Sequence, residues 1–161
     1  MTNEFLLKQN TALNELHFEL AAAMCENNIK CLYEKLIKSG LDDHTLGFWI
    51  WDISGGLEIY SPKFRASLQF EGEHDFPNVP ESWQKYIEQD SLDLALMNFD
   101  KHVDTKGEFR YVQQVIYRRK ISGKVTLVCH GKVISWNDDD SPKIMVGVHM
   151  LPSGRYISNL L

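Results

Sequence analysis

The chain has 161 residues, of which 43% are hydrophobic and 24% are charged, a composition ordinary for one globular domain. The net charge of −5 excludes nucleic acid and anionic membrane surfaces as default partners, because both are bound by basic surfaces. No apolar run approaches the roughly 20 residues that cross a bilayer, and the N-terminus lacks a signal-peptide pattern, so we expect a cytoplasmic protein.

The first predicted elements are helices, which form an N-terminal arm over residues 1–40. Apolar side chains recur at helical spacing between residues 2 and 38, and Ser39-Gly40 supplies a stop signal. Asn27-Asn28 divides the segment into two helices, because asparagine competes with the helix backbone for hydrogen bonds. The recurring apolar residues are Leu6, Leu13, Leu16, Leu20, Ala23 and Met24, then Ile29, Leu32, Leu36 and Ile37. This apolar face must be covered by the chain's own sheet or by the arm of a partner.

After residue 41 the pattern changes to short β-rich runs separated by turns. Strands are predicted over residues 47–53 and 57–60, and a short helix begins at Pro62 after Ser61 in the N-cap position. A loop over residues 71–80 leads into a helical turn around Trp83 and then into a helix over residues 91–103. The three predicted strands that follow cover residues 108–119, 124–136 and 143–151.

The last three predicted strands carry apolar side chains on both faces. In the first of them, Tyr111 and Val115 share one face, whereas Val112 and Ile116 lie on the other. An antiparallel sheet with one face in water should alternate cleanly between apolar and polar residues. We therefore expect both faces to be covered, one by the short central helices and the other by the arm or a second subunit.

Five short blocks stand in order along the second part of the chain. They are Gly47 to Ile53, Tyr60-Ser61-Pro62-Lys63-Phe64, Trp83 to Asp90, His130-Gly131-Lys132 and Val146-Gly147-Val148-His149. In this order they resemble the PAS domain family, in the branch called PAS fold 3. The resemblance implies an α+β PAS fold, with a five-stranded antiparallel sheet, short helices on one face and an N-terminal helical arm. It assigns residues 41–151 to the PAS domain and residues 152–161 to a C-terminal tail.

The chain departs from the family pattern at three places. Glu88-Gln89-Asp90-Ser91 replaces the usual His-Pro-Asp-Asp turn, and the fifth strand lacks its common tryptophan near Thr126-Leu127. Met150-Leu151-Pro152 replaces the closing Asp-Ile-Thr that joins the last strand to an output helix, which favours the arm as the signal route. The few residues after Pro152 imply either that an effector domain was removed or that the protein acts alone through a partner.

The resemblance implies a sensory and signalling module that is not itself an enzyme. The chain has no phosphate-binding glycine loop, nucleophile elbow or zinc-protease motif. The expected output is a homodimer through the arm and outer sheet face, a partner protein, or the effector of a larger histidine kinase or diguanylate cyclase in a two-component system. The alternative is a ligand-free module for protein–protein interaction and dimerisation.

The family places a small-molecule cavity between the central helices and the inner face of the sheet. The residues at the corresponding positions are Trp51, Phe64, Leu68, Trp83, Leu96, Phe99, Tyr111, Gln113, Val115 and Leu127. The rival interpretation is that these side chains simply fill the core. Gln113 is the informative residue, because an inward-facing amide must find a hydrogen-bond partner in the protein or in a ligand.

Cofactor expectations rest on a few residues. The helix over residues 91–103 contains no cysteine, so a covalent flavin–cysteine adduct is not expected, whereas non-covalent flavin and haem stay open. His102 is the candidate haem ligand, although histidine at this place also occurs in relatives without haem. His17, His44, His130 and His149 are expected at the surface or at edges, and no metal-ligand spacing is present. Cys25, Cys31 and Cys129 are expected to be reduced thiols packed as small hydrophobic residues.

Overall fold

A computed structural model of the protein describes residues 3–152, with side chains described from residue 10 onward. The helices are α1 (Asn3–Cys25), α2 (Ile29–Lys38), α3 (Leu41–His44), α4 (Pro62–Ser67), α5 (Pro80–Tyr86) and α6 (Gln89–Asp104). The strands are β1 (Phe48–Asp52), β2 (Leu57–Tyr60), β3 (Tyr111–Arg118), β4 (Lys124–Trp136) and β5 (Pro142–Met150). Most of the predicted tail, residues 153–161, lies outside the described residues, as do residues 1 and 2.

The five strands form one antiparallel sheet in the order β2-β1-β5-β4-β3. The predicted α+β class and five-stranded sheet are confirmed. The predicted period-two pattern also gives the correct faces of β3, where Tyr111 and Val115 point inward and Ile116 points outward. No helix among the described residues is long and apolar enough to span a bilayer.

The helical arm folds back on the outer face of its own sheet. The expected break lies at Asn28, whose side chain accepts the Cys31 backbone N–H at 2.9 Å and so caps α2. On α1 the buried residues include Phe18, Ala21 and Ala22 rather than the predicted apolar stripe. The structure exposes the stripe residues Leu13, Leu16, Leu20, Ala23 and Met24, while the side chain of Leu6 lies outside the described part.

The arm and the outer sheet face share a hydrophobic core. Phe18 of α1 and Leu32 and Leu36 of α2, all fully buried, pack with Phe48, Ile50, Val128, Ile144, Val146, Val148 and Met150. Two contacts add polar links between α1 and β4: Glu15 Oε1 lies 3.4 Å from His130 Nε2, and Glu19 pairs with Lys132. The expectation that both faces of the sheet are covered is confirmed, and the arm covers the outer one.

Helices α4, α5 and α6 cover the inner face, and Arg65 fixes the segment between α4 and α5. This buried guanidinium donates to the backbone carbonyl oxygens of Tyr60 at 2.9 Å and Phe76 at 2.9 Å, and to Asn78 Oδ1 at 2.7 Å. A buried charge is tolerated when its donors are satisfied in this way. Arg65 therefore anchors the residues that lead into α5.

Cys25 and Cys31 form a disulfide at the α1–α2 junction, so the expectation of reduced thiols is wrong for this pair. Their Cα atoms lie 5.6 Å apart across a sequence separation of six residues. Glu26 and Asn27 adopt positive φ values, which reverse the chain and bring the end of α1 beside the start of α2. Cys129 is a free, buried thiol, as expected.

Candidate functional site

A cavity of about 50 Å³ lies between the inner face of the sheet and helices α4, α5 and α6. Eight of the ten predicted residues line it: Trp51, Phe64, Trp83, Leu96, Phe99, Tyr111, Gln113 and Val115. The other two, Leu68 and Leu127, are fully buried in the adjoining core and do not line the cavity. Gln84 and Leu96 are exposed lining residues, so the cavity reaches the surface between α5 and α6.

Sequence reasoning missed nine lining residues, which are Trp49, Glu58, Gln84, Ile87, Ala95, Tyr117, Cys129, Met145 and His149. For some of them the period-two pattern of the strand indicates an inward position, because Tyr117 shares a face with Tyr111 and Val115. Glu58 and His149 carry no such signal, since a polar residue in a strand is ordinarily assigned to the solvent face.

Two glycines meet on the inner face of the sheet beneath Trp49, one of the lining residues. Trp49, Gly147, Gly131 and Tyr111 are register partners across β1, β5, β4 and β3. The indole ring of Trp49 lies over both glycines, and a Cβ atom at Gly147 would stand 2.1 Å from Trp49 Cζ2. The ring reaches Tyr111 edge-on, with centroids 6.5 Å apart. These two glycines are therefore required for the position of Trp49.

Glu58 on β2 is a buried carboxyl, 4% exposed, that faces the cavity beside its cross-strand neighbour Trp51. Burial raises the pKa of Glu58 to about 8, and hydrogen bonding from Trp83 offsets only part of this increase. The Tyr60 hydroxyl donates its one proton to the Val79 carbonyl oxygen at 2.8 Å and can therefore only accept a hydrogen bond from the protonated Glu58, whose Oε2 has no well-formed partner among the described residues. At pH 7 the carboxyl is mostly neutral.

Gln113 on β3 has half of its hydrogen-bonding capacity met. The amide is 6% exposed, and its Oε1 accepts a hydrogen bond from Asn98 Nδ2 of α6 at 3.1 Å. Its Nε2 interacts with the Tyr111 hydroxyl but reaches hydrogen-bond geometry with no group in the described part of the chain. The amide is expected from the sequence to need a hydrogen-bond partner, and the structure supplies one for Oε1 but none in good geometry for Nε2.

Two histidines expected at the surface or at edges are instead buried, and one of them lines the cavity. His149 on β5 is 1% exposed and stacks on Phe64 with ring centroids 4.6 Å apart. Burial lowers the pKa of His149 to about 3, so the ring is neutral, and its Nδ1 contacts no hydrogen-bonding group within the described chain. His130 is fully buried under α1 on the opposite face. Both lie on central strands, where neither face is open to water.

The polar residues of the cavity lie close together on the sheet. Gln113, Cys129 and His149 are register partners across β3, β4 and β5. Burial raises the pKa of the Cys129 thiol to about 12. Every titratable group in this row is therefore neutral at pH 7, and the cavity is an apolar space with three polar atoms left to be satisfied.

Comparison of folds shows what the chain is similar to. No family model and no curated protein matches the sequence. A sensory box histidine kinase/response regulator from Burkholderia thailandensis E264 is similar in structure over 77% of this chain and 89% of that chain, with 20% identity and a TM-score of 0.60. The N-terminal domain of a diguanylate cyclase with PAS/PAC sensor from Marinobacter aquaeolei matches over 66% and 94%, with 11% identity and a TM-score of 0.54. A light-oxygen-voltage domain studied with a flavin analogue matches over 78% and 90%, with 12% identity and a TM-score of 0.54.

The strand order and these matches agree. The chain has the PAS fold. The resemblance noted in the sequence is therefore confirmed at the level of the fold, and α1 with α2 is an extension of the PAS fold that packs on the sheet.

His102, the candidate haem ligand, has no nitrogen left for iron in this PAS fold. The ring is 1% exposed, and its Nδ1 lies 2.6 Å from the Phe109 carbonyl oxygen. The Val133 backbone N–H donates to Nε2 at 3.1 Å, which assigns the proton to Nδ1. His102 ties α6 to β4 and does not line the cavity, so this geometry argues against a haem role for it.

The expectation about covalent flavin binding stays a prediction, and the structure adds the position of one thiol. The free cysteine of the described chain, Cys129, lies on β4 rather than on α6, and burial keeps its thiol protonated. A thiol must reach the thiolate form to act as a nucleophile. No group of three metal-ligating side chains occurs among the described residues.

Proposed function

We propose that this chain is a sensory PAS domain that binds a small molecule in the cavity and passes the signal to another polypeptide. The observation that carries the proposal is the set of three buried polar atoms around the cavity: Glu58 Oε2, Gln113 Nε2 and His149 Nδ1. A buried polar atom without a partner costs about 1–3 kcal/mol. A ligand with complementary polar groups removes this cost, whereas a core that merely fills space would have no reason to keep all three.

The route of the signal follows β4. Cys129 on this strand faces the cavity, and the next residue, His130, faces α1 and lies 3.4 Å from Glu15. A displacement of β4 on ligand binding would therefore directly change the contact between β4 and helix α1 of the arm. The ligand shifts the arm only to the extent that it binds one position of β4 better than the other.

In this proposal the chain performs no catalysis itself. It acts in the cytoplasm as the sensor for a partner protein, or for the effector domain of a histidine kinase or a diguanylate cyclase. The lack of a catalytic motif in the sequence and the protonated state of the cavity groups support this division of labour.

Native mass spectrometry of the purified protein, followed by a thermal-shift screen of metabolites and cofactors, tests the proposal. We expect a bound small molecule, or stabilisation by at least one compound that Gln113→Leu abolishes. The exposed Gln114→Leu on the same strand serves as the matched control and should leave binding unchanged. Absence of both a bound mass and any stabilising compound contradicts ligand binding.

A second candidate function is a ligand-free dimerisation module, and a separate observation favours it. Leu13, Leu16, Leu20 and Met24 are 52–67% exposed and follow one another at spacings of three and four residues along α1. Such a seam is self-complementary, so a second copy of the chain covers it by an isologous helix–helix contact. In this function the cavity is simply an imperfectly packed core.

Sedimentation equilibrium of Leu16→Glu tests the dimer. We expect the wild-type chain to be dimeric and Leu16→Glu to be monomeric, because a buried unpaired carboxylate opposes association. Ile121→Glu is the control, since Ile121 is 77% exposed in the β3–β4 turn, far along the chain from α1. A wild-type monomer, or a Leu16→Glu dimer of unchanged affinity, contradicts this interface.

A further inference from the structure

The cavity combines one buried carboxyl with a lining rich in aromatic side chains. The lining contains Glu58, the three tryptophans Trp49, Trp51 and Trp83, two phenylalanines and two tyrosines. Trp51 is the cross-strand partner of Glu58, so that its indole and the carboxyl share the inner face of the sheet. An aromatic enclosure of this kind attracts positive charge through the negative faces of its rings.

The cavity lining contains an acidic side chain and no basic side chain that carries a positive charge. The lining contains no lysine or arginine, and His149, its single histidine, stays neutral because burial lowers its pKa to about 3. The nearby Arg65 is directed away from the space, since its guanidinium is bound to carbonyl oxygens and to Asn78. Glu58 thus has no cationic partner in the lining, although an ionised buried carboxylate demands one.

We propose that the cavity binds a small organic cation, an alkylammonium or N-methylated ammonium ion, with its positive charge beside Glu58 and its alkyl groups against the tryptophan rings. This inference rests on the proposed ligand-binding function and names the class of ligand. A bare metal ion does not fit, because the described residues offer no group of three ligating side chains. An anion would meet Glu58 without a basic residue in the lining to compensate, and the volume of about 50 Å³ restricts the cation to a few heavy atoms.

Binding of a permanent cation has a defined proton balance. Glu58 is protonated in the empty cavity below its pKa of about 8, and the ligand-bound form needs the carboxylate, so one proton leaves Glu58 for solvent. The apparent affinity therefore rises about tenfold per pH unit below this pKa and becomes constant above it. The other titratable groups that face Glu58 are Glu81 on α5, Tyr60 on β2, Tyr111 and Tyr117 on β3, Cys129 on β4 and His149 on β5. The tyrosines, Cys129 and His149 add no second proton step between pH 6 and pH 8, because burial raises the pKa values of the tyrosines and the thiol and lowers that of His149, so that all of them stay neutral.

The test compares small molecules of similar size and different charge. Tetramethylammonium, ethylammonium, ethanol and acetate are titrated into the ¹⁵N-labelled protein, and the indole N–H signals of its four tryptophans are followed by NMR. We expect both cations to shift the signals of Trp51 and Trp83 in a saturable manner, while ethanol and acetate do not. Trp136, which does not line the cavity, is the internal reference.

Two variants and one pH series complete the experiment. Glu58→Gln keeps the shape of the side chain without its charge and should weaken tetramethylammonium binding at pH 8 by about tenfold or more. Glu34→Gln removes an exposed carboxylate of α2, which packs on the opposite face of the sheet, and should bind like the wild type. Because tetramethylammonium does not titrate, the wild-type affinity measured from pH 6 to pH 9 reports Glu58 independently of whether the variants fold well.

The outcomes separate the two levels of the proposal. Unchanged cation binding by Glu58→Gln, a flat pH series, or preferential binding of ethanol or acetate overturns the cation inference and leaves the ligand-binding function standing. If neither these four compounds nor the wider screen of metabolites and cofactors binds, both the inference and the ligand-binding function are wrong.

Discussion

At the scale of single residues, the absence of two side chains decides the position of Trp49 in the cavity lining. Gly131 and Gly147 stand next to each other on β4 and β5, and Trp49 lies over both. A methyl group at either position would enter the space of the indole ring, with a closest approach of 2.9 Å at Gly131 and 2.1 Å at Gly147. The indole of Trp49 therefore fits against the sheet only because residues 131 and 147 are both glycine.

Gly147→Ala should therefore destabilise the protein by about 1–3 kcal/mol, because the added methyl group forces Trp49 out of its position in a packed core. Gly72→Ala is the matched control, since a Cβ atom there would meet its nearest neighbour, His74, at 3.4 Å, an ordinary contact. Urea unfolding followed by Trp fluorescence measures both. A Gly147→Ala variant as stable as the control would show that Trp49 adjusts without cost.

At the scale of elements, α1 shows where a periodic pattern identifies a helix but not the buried face of that helix. Both faces of α1 carry apolar residues, and the leucine-rich one has the stronger signal in the sequence. The structure buries the other face, which carries Phe18 and the small residues Ala21 and Ala22. Small side chains let the helix approach the sheet closely, and this advantage depends on the partner surface, which the sequence of α1 alone does not contain.

The two faces of α1 can be compared by substitutions two residues apart. Phe18→Ala removes a fully buried ring and should cost about 3–5 kcal/mol of unfolding free energy. Leu20→Ala, at a side chain that is 56% exposed, should change stability by less than about 0.5 kcal/mol in the monomer. Thermal unfolding at low protein concentration distinguishes them, and equal destabilisation by the two changes would contradict the placement of α1.

The disulfide is a second feature that the sequence concealed at this scale. Its sequence separation of six residues matches no redox or zinc spacing, and the pairing depends on the reversal of the chain at Glu26 and Asn27. Disulfides are typical of oxidising compartments, so in the proposed cytoplasmic setting this bond would form only under oxidising conditions.

Thiol titration under denaturing conditions checks the pairing directly. We expect one reactive thiol per chain without reductant, from Cys129, and three after reduction. Reduction should also lower the free energy of unfolding by about 2 kcal/mol, because the closed loop is short. Cys129→Ala is the control, for which no thiol should appear before reduction. Three thiols in the unreduced wild-type protein would contradict the disulfide.

The predictable parts of this molecule are those encoded by local periodicity. The strands, the break at Asn28 and the order of elements follow from spacing, caps and turn residues, and the resemblance to the PAS family placed eight of the lining residues. Glu58 and His149 escaped because their burial is a property of the assembled sheet and helices. A polar residue in a strand indicates a binding cavity only when the side chains around it are known to be apolar and buried.

At the scale of the whole molecule, two buried groups with large and opposite pKa shifts contribute to the dependence of stability on pH. The pKa of Glu58 rises from its ordinary 4.5 to about 8, so the folded state binds an extra proton in this window and stability falls as pH rises through it. The pKa of His149 falls from 6.5 to about 3, so the unfolded state binds the extra proton and stability falls as pH drops from 6.5 towards 3.

Between pH 4.5 and pH 6.5 the contributions of Glu58 and His149 oppose each other, and the lowered pKa values of the buried His102 and His130 add to the loss of stability on the acid side, so stability should be highest near pH 6.5 and decline on either side. Above pH 6.5 the decline should be at most about 1.4 kcal/mol per pH unit. Glu58→Gln should remove this alkaline decline, while Glu34→Gln, at an exposed position of α2, should retain it, as measured by urea unfolding from pH 4 to pH 9. A wild-type profile identical to that of Glu58→Gln above pH 6.5 would contradict the neutral state of Glu58.

The alternation of β4 between the cavity and the arm has a consequence for protein engineering. Because adjacent residues of one strand contact the two sites, the proposed signal route does not need the β3–β4 or β4–β5 turns. Both turns carry exposed residues, including Ile121, Ser122 and Asp138 to Asp140. A fluorescent reporter inserted into one of these turns would leave the cavity and the arm intact, and its emission would report the movement of β4 itself.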